Sequence, residues 1–181
     1  RDWITLLGNH DRMFAWFMED IPRHDPHMLV GYHWLHERLG GRTALASYSV
    51  DADERRRLFS VHEDAQRAIP KRHLLFLQTC EISISAGPLF FCHAGVRPGV
   101  ALCEQTENDL LWIRDEFSKD TRDHGALVVH GHTPVDAPLH AGNHVNLDTG
   151  AGYGKPLTTA VFEGTNIHLL TKTGRQALEK A

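Results

Sequence analysis

Chemistry in this chain gathers at three short polar stretches, each directly behind an apolar run. Gly8-Asn9-His10-Asp11 follows Trp3-Ile4-Thr5-Leu6-Leu7, His93-Ala94-Gly95 follows Pro88-Leu89-Phe90-Phe91-Cys92, and His130-Gly131-His132-Thr133-Pro134 follows Ala126-Leu127-Val128-Val129. Amide oxygen and imidazole nitrogen are ligands for Mn, Fe or Zn, and the small residues beside them let backbone and metal approach closely. In an open α/β sheet the carboxyl ends of the strands form the edge where ligands bind. Three strands that each end in Asn or His beside glycine therefore point to a site built around a metal.

The elements that must position these residues follow from periodicity and turn signals. Residues 3–7, rich in β-branched and apolar side chains, predict a buried strand that Gly8 ends. Residues 12–18 predict a helix packed on the sheet, broken by Pro22 and Pro26. Leu29, Tyr32, Leu35 and Leu39 fall at helical spacing, which predicts a helix over 28–39 with Gly40-Gly41 as its C-cap. Residues 43–50 read as an exposed connection. Asp53-Glu54 opens a further helix through Leu58, Val61, Ala65 and Ala68 to Pro70, and residues 71–80 form a short one. This helical insert, about 14–79, either walls a substrate cleft or simply packs on the sheet. Period-two alternation at 81–85, a turn at Ala86-Gly87 and the run 88–92 predict a hairpin whose second strand is central. A short helix or turn is expected at 108–114. Strands are expected up to His130 and over 144–147, 157–163 and 166–171, with a tight hairpin at Gly164-Thr165. The polar tail 174–181 is expected to fray. The fold class is α/β, in one domain spanning 1–181.

The chain has 181 residues, 41% apolar and 23% charged, with a formal charge of -4. That is ordinary for one soluble domain, and it is too small and mixed a charge for a nucleic-acid surface. Arg55-Arg56-Arg57 reads as a solvated helix face. Cys80, Cys92 and Cys103 are odd in number and lack CxxC spacing, so they read as reduced thiols in the cytoplasm rather than a disulfide framework. No span approaches a membrane helix. Fourteen histidines is a high count. His24, His27, His33, His36, His62, His73, His124 and His168 lie in polar or helical contexts and receive no chemistry, and His140 and His144 read as structural or, as the alternative, as supporting groups near the site.

Gly8-Asn9-His10-Asp11, His93-Ala94-Gly95 and Gly131-His132-Thr133-Pro134, in this order, resemble the motifs of the calcineurin-like metallophosphoesterases, in particular the bacterial phosphoprotein phosphatase (Ser/Thr protein phosphatase) family. Trp34-Leu35 with Gly40-Gly41 and Thr43, Leu110-Leu111-Trp112-Ile113-Arg114 and Asn146-Leu147-Asp148-Thr149-Gly150-Ala151 extend the resemblance from Trp3 to about Leu170. It implies a β-sandwich flanked by helices that hydrolyses a phosphate ester with metal-activated water and no covalent intermediate. On it, Asn9, His93 and His132 match the three non-bridging ligands of one metal. His10 matches the general acid, an imidazole being a residue type suited to donating a proton to the leaving oxygen. Arg114 matches a phosphate-binding arginine, whose planar fork meets two phosphate oxygens. Its alternative is a surface salt bridge with Asp115 or Glu116. Arg97 is a weaker match in a loop, Asp11 reads as a capping or supporting group, and His130 as a supporting one.

Family members also carry an Asp-x-His strand end and a Gly-Asp-x-x-Asp-Arg motif upstream, and neither occurs here. The chain therefore reads as the C-terminal portion of an enzyme, with its N-terminal strands missing. A neutral ligand set without the bridging carboxylate implies at most one weakly held divalent metal, Mn in the first place and Fe or Zn otherwise. The expected partner is a phosphorylated protein or a small phosphate ester, with no nucleic acid and no membrane, and with self-association through exposed sheet. A related subgroup that cleaves dinucleoside tetraphosphates symmetrically, and a catalytically incomplete fragment that binds metal or a partner, are the alternatives.

Overall fold

The computed structural model describes residues 3–181, divided into the units Arg1–Cys80 and Glu81–Ala181. Helices make up the regular structure of the first. Helix α1 is Asn9–Phe17, α2 Gly41–Ala46, α3 Leu58–Ala68 and α4 Lys71–Gln78, with a single 3-10 turn at Glu37–Leu39. Trp34, at 6% exposure, is where its core gathers, because Phe14 stacks on it at 5.2 Å and Phe17 meets it at 4.8 Å. Met13, Leu45, Val61, Ala65 and Ile69 are also buried. A large apolar side chain removed from water in this way contributes about 1.5–3 kcal/mol. Gly41 must stay bare, since a methyl there would lie 2.8 Å from Trp34 Cδ2 and nearer still to its carbonyl oxygen.

Several expectations for this unit are corrected. Residues 3–5 are exposed, and the predicted strand over 3–7 is reduced to an isolated bridge at Leu6. No helix covers 28–39, although apolar residues recur there at helical spacing. Gly31 takes a φ of 83° in mid-segment, and the ring Nδ1 atoms of His33 and His36 accept from the backbone of Leu35 and Arg38 at 3.2 and 3.3 Å. Those local bonds compete with the helical ladder, leaving Leu29 and Val30 exposed. Gly40 does cap the short 3-10 turn in the left-handed region, at φ 73°. The connection expected over 43–50 contains most of α2, with Leu45 fully buried. Helix α3 begins at Leu58 rather than Asp53, because Asp51 and Asp53 accept from the backbone two residues on, at 3.0 and 2.9 Å, and hold turns there.

The second unit contains two sheets. Strands β1 (Ser83–Ala86), β2 (Leu89–Cys92), β3 (Leu127–His130), β4 (Leu139–His140) and β5 (His144–Asn146) form one, in the order β1-β2-β3-β5-β4, and β6 (Ala160–Glu163), β7 (Asn166–Thr171) and β8 (Gly174–Ala177) the other. The hairpin β1–β2 is as expected, with β2 in the interior and parallel to β3, and β3 parallel to β5. Side chains of the larger sheet alternate between two cores. Phe90, Cys92 and Val128 pack with Leu110, Ile113 and Phe117 around helices α5 (Glu107–Trp112) and α6 (Asp115–Ser118), while Leu89, Leu127 and Val145 face Ile167 and Phe162 of the smaller sheet. This α/β sandwich agrees with the expected fold class. The tail expected to fray instead forms β8 on β7, and the amide of Ala181 donates to the His140 carbonyl at 2.9 Å. Its polar residues suit an exposed edge strand. All three cysteines are free thiols. No helix of the described residues is long and apolar enough to cross a membrane.

Candidate metal and phosphate site

Parallel pairing of β2 with β3 sets the site's geometry, because it sends both following loops out of one edge. Leu89 faces Leu127 and Phe91 faces Val129, so His93 and the Gly131-His132-Thr133 turn emerge side by side. Two backbone bonds fix the loops: Gly131 donates to the His93 carbonyl at 2.9 Å, and Ala94 donates to the Leu110 carbonyl of α5 at 2.7 Å. His132 sits at φ 66°, and Thr133 N donates to Gly131 O at 2.7 Å, the three-residue bond of a γ-turn. A residue with a β-carbon in that conformation is strained, and such strain gathers at functional sites.

The turn brings His132 Nδ1 to 3.1 Å from His93 Nε2, with ring centroids 4.9 Å apart and planes at 63°. At that separation one ring can donate to the other, or both lone pairs can converge on one cation. With metal–nitrogen bonds of about 2.1 Å, two nitrogens bound to one metal stand about 3.0–3.4 Å apart. The pair fits that requirement. The described residues contain no cluster of three or more His, Cys, Asp or Glu able to hold a metal. Trp112, at the end of α5, sets its ring edge-on to His132 at 6.0 Å.

Arg114 joins this edge through Thr133, whose Oγ1 accepts from Nη1 at 3.4 Å. The salt bridges that would have explained it on the surface are not formed. Asp115 pairs with Lys119 and Glu116 with Arg97, so among the described residues the exposed Arg114 guanidinium has no ion pair. Arg97 is committed elsewhere, to Asp109 at 2.5 Å and to Glu116 at 3.2 Å, which suits a structural role.

His130, at 6% exposure, lies beneath the site among Phe117 and His144, and burial pushes its imidazole down to about 4, with His144 adding to the effect. It is neutral at physiological pH and part of the core. His144 is buried as well, with Nδ1 2.9 Å from the Asn143 amide oxygen, and fills a structural place as expected. Burial likewise pushes the Cys92 thiol up to about 12, so it is inert as a nucleophile.

Asn9 and His10 belong to the first unit, where they open α1 instead of ending a strand. Asn9 is 2% exposed, and His10 is exposed with Nδ1 3.1 Å from the Leu39 carbonyl oxygen. Asp11 is a capping residue, its carboxylate accepting from Gly8 N at 2.8 Å in the first turn, where a negative charge favours the helix.

Thr133 and Asn146 were given no role from sequence, although both lie within stretches singled out there. Asn146 is 4% exposed. Its amide donates to the Thr133 carbonyl at 2.8 Å and accepts from Asp148 N at 2.9 Å. The usable signal was an amide inside the strand expected over 144–147.

No family model matches the chain. A curated protein, the bis(5'-nucleosyl)-tetraphosphatase PrpE [asymmetrical] of Geobacillus thermodenitrificans (strain NG80-2), is 31% identical over 90 residues, covering 41% of this chain and 36% of that protein. The chain thus spans little more than a third of the relative it matches. The similarity makes the chain a distant relative of a phosphate-cleaving hydrolase, which supports the metallophosphoesterase superfamily and no subfamily within it.

Proposed function

We propose that this protein hydrolyses phosphoric monoesters with a divalent metal, in the manner of the Ser/Thr protein phosphatases it resembles. The observation that carries the reading is the convergence of His93 Nε2 and His132 Nδ1, 3.1 Å apart, beyond the carboxyl ends of adjacent parallel strands. His93 and His132 would hold a divalent metal there, Mn in the first place, which would supply Lewis acidity toward a phosphoryl group and would lower the pKa of a bound water. Arg114 binds two phosphate oxygens from beside Thr133. His10 protonates the leaving oxygen, and Asn9 serves as a further ligand, both on the strength of the Gly-Asn-His-Asp motif.

A second reading, hydrolysis of a dinucleoside tetraphosphate, is favoured by the named activity of the Geobacillus relative. That activity is asymmetrical, unlike the symmetrical subgroup that stood as an alternative from sequence. The two readings part on one assay. With Mn(II) saturating, the protein is given a phosphoserine peptide and, separately, diadenosine tetraphosphate. Faster turnover of the peptide, collapsing in His132→Ala and partly recovered by more metal, is the expected result. Preference for the tetraphosphate moves the assignment to the second reading. Turnover of neither, with Mn, Fe and Zn each saturating, overturns both and leaves a module that binds without catalysis.

A further inference from the structure

We infer that Asn146 is a positioning residue for metal binding, acting by holding the turn that aims His132. The inference rests on the reading of His93 and His132 as a ligand pair and deepens it. His132 occupies a conformation disfavoured for any residue but glycine, at φ 66°, and the Gly131–Thr133 bond that closes its γ-turn spans only three residues. Something outside the turn has to keep it closed. Asn146 is placed to do so. Because β5 runs parallel to β3, Asn146 ends its strand at the same edge, opposite His130 in register. From there its buried amide group bonds to loop backbone, donating to Thr133 O at 2.8 Å on one side and accepting from Asp148 N at 2.9 Å on the other.

Two more bonds surround the clamp. Val135 N donates to Asp148 O at 2.9 Å, and Leu147 N donates to His130 O at 3.0 Å. The Asp148 side chain also crowds Gly131, where a methyl would lie 3.2 Å from Asp148 Cβ. The strand end at Asn146 therefore holds the turn on both sides of His132. Without the Asn146 amide, the Thr133 carbonyl loses its buried donor and the turn can relax toward an unstrained φ. That would carry the imidazole away from His93. Groups that orient ligands in this indirect way typically change metal affinity by about 10- to 100-fold.

The test titrates the protein with Co(II) alone and reads the ligand-field absorption, which reports coordination rather than turnover. Asn146→Ala should weaken Co(II) binding by about tenfold or more, with a spectrum approaching that of His93→Ala. Val145→Ala is the control for general destabilisation. Its side chain is fully buried in the core between the two sheets, so it should lower the melting temperature and leave cobalt binding unchanged. If Asn146→Ala fails to fold, Asn146→Leu, which keeps the side-chain volume without adding charge and removes the donor to Thr133 and the acceptor for Asp148 N together, should weaken binding in the same way. Parental affinity in the Asn146 variants, or an equal loss in Val145→Ala, overturns the inference while the ligand pair stands. Cobalt binding unchanged in His93→Ala overturns the ligand pair itself and the clamp with it.

Discussion

Gly95, two residues beyond His93, is the position where one methyl group should do the most damage. Its φ of 150° is one that residues with a β-carbon rarely adopt, at a cost of about 1–3 kcal/mol. A methyl built there lies 2.7 Å from Cε1 and Cγ of the Phe117 ring and closer still to Cδ1, well inside contact distance. Phe117 is 1% exposed and packed against His124, His130 and His144, so the ring cannot swing out, and overpacking of that kind costs about 1–3 kcal/mol more. Gly95→Ala should therefore lose about 2–6 kcal/mol in urea unfolding followed by far-ultraviolet circular dichroism. The two contributions separate in a double-mutant cycle. Phe117→Ala alone should cost about 3–5 kcal/mol, but its cavity accepts the new methyl, so the double variant should be more stable than the sum of the singles by about 1–3 kcal/mol. The backbone part of the cost should persist. Additivity within about 0.5 kcal/mol would refute the steric account and leave the strain alone responsible.

Three other outcomes follow from charge and proton placement. Asp25 and Arg12 are both buried and joined by two bonds, at 3.1 and 2.8 Å. Burial would raise the Asp25 carboxyl, but hydrogen bonds from the His27 backbone and from Arg12 outweigh it and hold the group below its ordinary value. Its contribution is thus complete above the unfolded-state value of about 3.9 and is lost as pH falls through the lower folded value. Acid titration should show this loss below about pH 4, whereas Asp25→Asn, weaker by about 3–5 kcal/mol at neutrality, should be flatter there. A parallel acid profile in the variant would count against the pair. Arg114→Ala should weaken inhibition by inorganic phosphate about tenfold or more with no recovery on adding metal, and recovery by metal would place Arg114 among the metal's supports instead. His10→Asn should lose roughly 10²- to 10⁴-fold on a phosphoserine peptide and far less on nitrophenyl phosphate, whose leaving group needs no proton. Equal losses on both substrates would exclude His10 as the acid.

Much of the second unit was legible in sequence because its signals are local. Period two at Ser83-Ile84-Ser85, Gly87 at φ 59° in the hairpin turn, and the apolar runs into His93 and His130 each specify an element without help from distant residues. The helical region was harder to read for an equally physical reason. Leu29, Tyr32, Leu35 and Leu39 have helical spacing, yet side-chain bonds from His33 and His36 and the left-handed Gly31 decide the backbone, and spacing carries no trace of them. Residues 3–7 have strand composition, but composition does not supply a neighbour to pair with. At the site, motif order pointed to His93, His132 and Arg114, whereas the γ-turn at His132 and its hold by Asn146 depend on β3 lying beside β5. That adjacency belongs to topology, which no window of sequence contains.

The larger sheet serves two cores through alternate residues of the same strands, and this bears on how residues 81–181 come apart. Detaching the three-stranded sheet would bare Leu89, Leu127 and Val145, while detaching α5 and α6 would bare Phe90, Cys92 and Val128 one position away. Either partial melt leaves four-residue strands with one face in water, too short to persist on backbone bonds alone. The two layers are therefore obliged to melt together. Hydrogen exchange should report one shared opening free energy for amides in β2, β3 and β7, so the loops carrying His93 and His132 stand on a base that is either wholly formed or wholly lost.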